Sequence, residues 1–156
     1  GNLNMPGVYV DETNSRMIMN MRSLFGRLAE ALNREGKADS AKRVLDRCFE
    51  VIPESVVPYD FFTVPLIENY YKSGETAKAN KIAAKLSKNV NEELAWFFSF
   101  PDEDLKAMDM SLQEAVFTIQ RLSVVVRDAK QDQLATQAEA TLKKYYDLYV
   151  QKVYQR

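Results

Sequence analysis

Few residues of this chain belong to the types that usually carry out chemistry. The sequence contains no histidine and a single cysteine, Cys48. The absence of histidine excludes Ser–His–Asp triads, histidine-ligated zinc and histidine pH switches. A single cysteine cannot form an internal disulfide or a cysteine-rich metal site. Cys48 lies on the apolar side of a predicted helix, which favours a small core residue over a reactive thiol.

The densest group of carboxylates is Asp102-Glu103-Asp104. It lacks the alternating spacing and the glycine of a calcium loop. Acidic residues favour the first turn of a helix through its dipole, so we expect a solvated helix start here. Two carboxylates suited to glycoside hydrolysis can come from any part of a chain, and no particular pair is indicated. The sequence therefore predicts no catalytic residue, metal or cofactor, and a chain that is not an enzyme.

Adjacent aromatic residues are the best candidates for a binding surface. They occur at Phe61-Phe62, Tyr70-Tyr71 and Trp96-Phe97-Phe98. Neighbouring residues of a helix point about 100° apart, so adjacent rings cannot share one face. Core packing is the expectation for most of them. Phe61, Tyr71 and Trp96 are the candidate anchors of an interface, because aromatic residues dominate binding hot spots.

These candidates need a folded scaffold, and the composition supports one. A chain of 156 residues with 46% hydrophobic content can bury a core. The balance of 21 basic and 22 acidic residues argues against nucleic acid as a partner and against a polybasic membrane patch. No apolar run approaches the roughly 18 residues of a membrane span. Residues 1–12, with the β-prone run 8–10, are predicted to be an extended lead-in or linker.

Apolar residues recur at helical spacing almost throughout the rest of the chain, which predicts an all-α fold of about seven helices. The predicted helices lie at roughly 13–35, 39–52, 59–73, 75–89, 92–100, 111–130 and 132–155. Pro65 lies inside the third segment and predicts either a kink or a tight first turn. The β-branched run 124–126 is predicted to be helical because the flanking period is 3.6.

The first helix is expected to bury one apolar stripe. Its members share steps of three or four residues and are Met17, Met21, Leu24, Leu28 and Leu32, with Phe25 beside them.

A helix–turn–helix unit recurs along the chain. Gly36 and Gly74 lie 38 residues apart, and an alanine, Ala41 or Ala79, follows each glycine after five residues. A glycine permits the turn, and a small alanine lets the paired helices approach closely. The pattern resembles the tetratricopeptide (TPR) repeat, whose period is about 34 residues. In the first unit the matching positions are Phe25, Leu28, Ala29, Leu32, Gly36, Ala41, Leu45, Cys48 and Pro53.

The TPR resemblance implies one domain over residues 13–156, an array of antiparallel helices in a right-handed superhelix. Its units would be 22–55, 60–93 and a degenerate 111–153, with Ala135 in the small position and no glycine before it. The second unit departs at Ile67, where a small residue is usual, and at Asn91, where proline is usual. The first helices of TPR units line a concave groove. Here that groove would carry Glu30, Asn33, Arg34, Glu68, Tyr71 and Lys72.

A more specific resemblance rests on three segments: GVYVDETNSRMIMNMRSLFGRLAEAL, GKADSAKRVLDRC and VPYDFF…P…ENYYKSGE. They resemble the soluble C-terminal region of a bacterial family of multispanning membrane proteins of unknown function, which is similar to integral-membrane glycosyltransferases. The resemblance covers most of the chain. It implies an extramembrane tail that reaches the membrane only through upstream segments, on the periplasmic side, with the cytoplasmic side as the alternative. No catalytic residue of the family has a counterpart here.

The function expected from the residues and the resemblance is a non-enzymatic interaction or scaffolding module. Its partner would be another protein or the chain's own membrane domain. The alternative is an accessory domain that binds saccharide or lipid-linked sugar for an attached glycosyltransferase. A third possibility is a structural cap, which would expose no apolar patch beyond a few hundred Å².

Overall fold

The structure is a computed structural model that describes residues 12–154. Its seven α-helices are α1 Glu12–Arg34, α2 Ala38–Val51, α3 Val64–Lys72, α4 Thr76–Phe97, α5 Asp102–Ala107, α6 Asp109–Asp128 and α7 Asp132–Tyr149. A 3-10 turn, Phe61–Thr63, precedes α3, and a π-helical turn, Val150–Tyr154, follows α7. No strand occurs between residues 12 and 154, so the all-α prediction is confirmed there. The predicted lead-in lies outside the described residues, apart from Glu12.

The chain folds as two compact units, with the boundary between Ile82 and Ala83, inside α4. The sequence predicted a single array over 13–156. It also predicted two helices where α4 is continuous, and that prediction was wrong. No glycine or proline interrupts residues 89–92, and Val90 and Leu94 are both buried, so the apolar face continues without a break.

Two local predictions about helix starts are confirmed. The 3-10 turn puts Pro65 in the first turn of α3, where its missing N–H costs no intrahelical hydrogen bond. The structure therefore has the tight turn rather than the kink. Asp102-Glu103-Asp104 form the first turn of α5, directly after Pro101.

In the first unit, α1 packs on α2 and α3, and α2 packs on α3. Small residues make this close packing possible. Ala29, Ala41 and Ala79 are fully buried, and a Cβ built on Gly26 would lie 3.6 Å from both Pro65 and Leu66. The fully buried residues also include Leu45, Cys48, Leu66 and Ile67.

The predicted stripe of α1 was wrong for three of its residues. Met17, Leu24 and Leu28 are exposed, with Leu24 58% accessible. The buried face of α1 instead carries Ile18, Arg22 and Ala29. Two faces of this helix satisfy the helical period. The face with the small residues packs inward, because only that face lets α3 approach closely.

Three helix–turn–helix joints share one hydrogen-bonding geometry. Each has a residue with positive φ after the first helix: Gly36 at 74°, Gly74 at 82° and Lys130 at 59°. In each joint the N–H of this residue donates to the carbonyl three residues earlier, and the N–H of the next residue donates to the carbonyl five residues before it. These are the two hydrogen bonds of a Schellman motif. The five-back bonds are Lys37 to Leu32 at 2.8 Å, Glu75 to Tyr70 at 2.9 Å and Gln131 to Val126 at 2.9 Å.

The joints also share a small buried residue at the start of the second helix. Five residues after each positive-φ residue comes a fully buried alanine, Ala41, Ala79 or Ala135. The third joint, which the sequence showed without a glycine, therefore has the same geometry, with Lys130 in the glycine position.

In the second unit α6 packs along α7, and α5 packs against α6 and the π-helical turn. Apolar residues at helical spacing form the buried face of α6: Leu112, Val116, Ile119, Leu122 and Val126. In α7, Ala138, Tyr145 and Tyr149 are buried, whereas Leu134 and Leu142 are half-buried. Two polar contacts join the ends of this unit: the Tyr149 hydroxyl donates to Asp109 at 2.9 Å, and Lys152 pairs with Asp102 at 2.7 Å.

Candidate binding site

Four of the six predicted groove residues line one cavity. Glu30, Asn33 and Arg34 from α1 and Lys72 from α3 surround a groove of about 270 Å³, which we call the α1–α3 groove. Glu68 does not line this cavity but pairs with the lining residue Lys72 at 3.2 Å. We call this pair, together with the Glu30–Arg34 pair, the rim of the groove. The sixth residue is held elsewhere: the Tyr71 hydroxyl donates to Asn80 Oδ1 of α4 at 2.6 Å.

Asn33, which lines the α1–α3 groove, belongs to a polar network that extends to the buried residues Asn69 and Ser73. The Asn33 amide donates to the backbone carbonyl and the Oδ1 of Asn69, both at 3.1 Å. The Ser73 hydroxyl lies 3.0 Å from Asn33 Oδ1 and 2.8 Å from the Asn69 carbonyl, and the Asn69 amide donates to Pro65 at 2.9 Å. Buried networks that are hydrogen-bonded throughout are rigid, so this one fixes α1 against α3. Asn69 and Ser73 were not among the residues predicted from the sequence, although an asparagine inside an apolar helix is a signal, since asparagine has a low helix propensity.

The rim of the groove carries the same charge pattern on both helices. Glu30 pairs with Arg34 at 3.1 Å and Glu68 pairs with Lys72 at 3.2 Å, each pair four residues apart. Corresponding members of the pairs lie 38 residues apart in the chain. Exposed ion pairs of this kind contribute about 0–1 kcal/mol. A charged group of a ligand can therefore replace one partner of either ion pair at little cost in free energy.

The two remaining candidate anchors differ in exposure. Trp96, in the second unit, is 55% exposed, and its ring lies 4.8 Å from Phe100 in an edge arrangement. Phe61, in the first unit, is half-buried and packs edge-on against Phe62 at 5.8 Å. Trp96 is the more accessible of the two.

A second groove, of about 680 Å³, lies between α6 and the end of α7; we call it the α6–α7 groove. Its most exposed apolar residues are Met110, Phe117 and Tyr146. This groove was not predicted from the sequence. A signal was present, because Met110, Phe117 and Val124 recur every seven residues on the face of α6 turned away from its buried stripe.

The first unit also buries a charged centre that the sequence did not reveal. Arg22 is fully buried and donates to the carbonyls of Val57 at 2.5 Å and Pro58 at 2.8 Å, while Asp60 lies 3.4 Å away. Burial raises the pKa of Asp60, and the Arg22 charge opposes that shift. These bonds tie the segment after α2 to α1. The role of this centre is structural, since Arg22 donates its hydrogen bonds to backbone carbonyl groups.

Cys48 has the environment of a core residue. It is fully buried, and burial raises the pKa of its thiol to about 12, against the opposing charge of Arg22. The thiol is therefore protonated at neutral pH, which confirms the core interpretation. Within residues 12–154, no cluster of three or more His, Cys, Asp or Glu side chains is arranged to hold a metal ion.

Among the helices that the structure describes, none has both the length and the hydropathy required to span a bilayer. No protein-family model matches the chain, and no curated protein or solved structure is significantly similar to it.

Proposed function

We propose that this chain is a non-enzymatic, TPR-like protein-interaction module and that the α1–α3 groove is its binding site. The proposal rests on one observation: the helix–turn–helix joint and the charged pair of the groove rim both recur in the first unit. The two joints of the first unit share their hydrogen bonds, and the paired charges of the rim recur at the same 38-residue spacing. A repeat that places equivalent side chains in one groove is the arrangement by which helical repeats build extended binding surfaces.

The chemistry of the groove favours a segment of polypeptide as the ligand. A volume of about 270 Å³ is smaller than the roughly 300–1,000 Å³ of small-molecule pockets and suits a few side chains of a longer partner. The rim carries two cations and two carboxylates. The best ligand is therefore an extended segment with charges of both signs, rather than a uniformly acidic tail.

The resemblance to membrane proteins gives this module a setting. We propose that the chain is the extramembrane tail of a multispanning, glycosyltransferase-like protein, on the periplasmic side. The ligand would then belong to a partner protein or to the membrane domain itself. Crosslinking the full-length protein in cells from position 34, and separately from position 124, tests this setting. A product from position 34 alone, with the chain's own membrane domain or with a periplasmic protein, supports it, and products with cytoplasmic proteins, or equal products from both positions, contradict it.

Selection from a random peptide library tests the groove directly. Peptides enriched on the wild-type chain should lose at least tenfold in affinity for the R34A/K72A variant, because it removes both rim cations. The matched control, R43A/R47A, removes two cations from exposed positions of α2 and should bind normally. No enrichment, or equal losses in the two variants, would count against the proposal.

A second candidate function rests on Trp96. Its indole is 55% exposed, and Glu92 and Glu93 precede it by four and three residues, so all three share one face of α4. An aromatic platform beside carboxylates suits the binding of saccharide or lipid-linked sugar for an attached transferase. Trp96 is the only tryptophan of the chain, so its fluorescence reports such binding directly. A glycan series that gives no saturable change would reject this function.

A further inference from the structure

The α6–α7 groove has the dimensions of a helix-binding surface. Met110 and Phe117 lie two turns apart on α6, about 10 Å along its axis, and Tyr146 of α7 forms part of the same lining. Met110 is 87% exposed, Phe117 54% and Tyr146 53%. An amphipathic helix presents its anchors at the same two-turn spacing, at positions i, i+3 or i+4, and i+7.

The charge of the groove indicates what else such a helix must carry. Glu114 lies on α6 between the two apolar anchors and lines the groove. The pKa of Glu93 is raised, first by burial of its carboxyl group and second by the negative charge of Glu114. The groove lining therefore carries negative charge at Glu114, and a cation paired with that carboxylate would offset it.

We propose that the α6–α7 groove binds an amphipathic α-helix of about three turns that carries Lys or Arg at the border of its apolar face. The apolar anchors supply affinity by covering Phe117 and Met110. The cation supplies selectivity by pairing with Glu114. This site is separate from the α1–α3 groove and does not depend on the function proposed for it.

Two synthetic 15-residue helical peptides test the proposal, with the same leucine positions and either lysine or glutamate beside them. In fluorescence anisotropy with the full chain, the lysine peptide should bind saturably and at least tenfold more tightly than the glutamate peptide. F117S should weaken binding at least tenfold. E114Q should weaken it severalfold and reduce its salt dependence. V124S is the matched control, since Val124 is exposed on the same helix but does not line the groove, and it should bind normally.

Other occupants give different results, and each would overturn the proposal. Equal binding of both peptides, or no effect of F117S, removes the groove as a basic-helix site. Tighter binding of a proline-rich peptide would indicate an extended ligand. F117S-sensitive binding to phosphatidylcholine–phosphatidylglycerol vesicles would indicate lipid, and F117S-sensitive self-association in sedimentation would indicate a second copy. Circular dichroism of F117S checks that the exposed substitution leaves the fold intact.

Discussion

Replacing Lys130 by glycine should stabilise the second unit, whereas alanine at Gly36 or Gly74 should destabilise the first. All three residues hold the positive-φ position of the same kind of joint. Only Lys130 has a Cβ there, and it bears the steric cost of the left-handed conformation. The stability changes are expected to have opposite signs because of the backbone conformation alone. Steric contacts do not contribute at the glycines, because a Cβ at Gly36 or Gly74 would meet no atom within 4 Å.

The expected size comes from two opposing backbone effects. The left-handed conformation costs a non-glycine residue about 1–2 kcal/mol. Glycine in turn loses about 0.4–1 kcal/mol more conformational freedom on folding. The net change is therefore about 0.5–1 kcal/mol, a gain at Lys130 and a loss at either glycine. Lys130→Ala is the matched reference for Lys130→Gly, because both remove the charge and differ only in the Cβ.

Urea denaturation measures both changes. Trp96 lies in the second unit, so its fluorescence follows the Lys130 variants, and circular dichroism follows the glycine variants. With a slope of about 1–3 kcal/mol per molar urea, the expected shift of the midpoint is roughly 0.2–1 M. If Lys130→Gly is no more stable than Lys130→Ala, or if Gly36→Ala is more stable than the wild type, the shared-joint account is refuted.

Further substitutions test the packing of the first unit. Leu45→Ala should lower the free energy of unfolding by about 3–5 kcal/mol, because the side chain is fully buried. Leu24→Ala, at a side chain 58% exposed, should cost less than about 0.5 kcal/mol, and equal costs in urea would contradict the burial described for α1. Arg22→Met should cost roughly 3–5 kcal/mol, since it leaves the Asp60 carboxylate buried without a cation. It should also raise the pKa of Asp60 further in a carboxyl NMR titration; a fall would be inconsistent with the pair. The folded chain holds the Asp60 proton more tightly than the unfolded chain does. The free energy of unfolding of this variant should therefore be highest in acid and fall as the pH rises through the raised pKa of Asp60. A free energy of unfolding that rises over this pH range would contradict the prediction. Cys48, with a pKa of about 12, should react with a disulfide reagent at pH 8 only after unfolding, and rapid labelling of the native chain would disprove its burial.

Local signals in the sequence predicted much of the fold. Spaced glycine and alanine residues identified two joints, and the period of α6 identified its buried face, because both features depend on neighbouring residues in the chain. The groove residues followed from the same register, since helices joined by equivalent turns bring equivalent positions together.

The features that the sequence did not predict depend on distant residues. From the sequence alone, Arg22 is expected to be a surface cation. Its burial depends on the carbonyls of Val57 and Pro58, 35 and 36 residues away, which accept its hydrogen bonds. The exposed face of α1 is as apolar as a core face, and only the approach of α3 to Gly26 selects between them. Lys130 gave no turn signal because its left-handed conformation is imposed by the helices on either side.

Side-chain amide NMR of Asn33 is the most direct test of the proposed function. Asn33 lines the α1–α3 groove, and its amide group donates to Asn69. A peptide selected on the wild-type chain should shift the Asn33 side-chain resonances, together with the backbone resonances of Arg34 and Lys72, at saturating concentration. Shifts confined to other surfaces, with these signals unmoved, would contradict a binding module built on this groove.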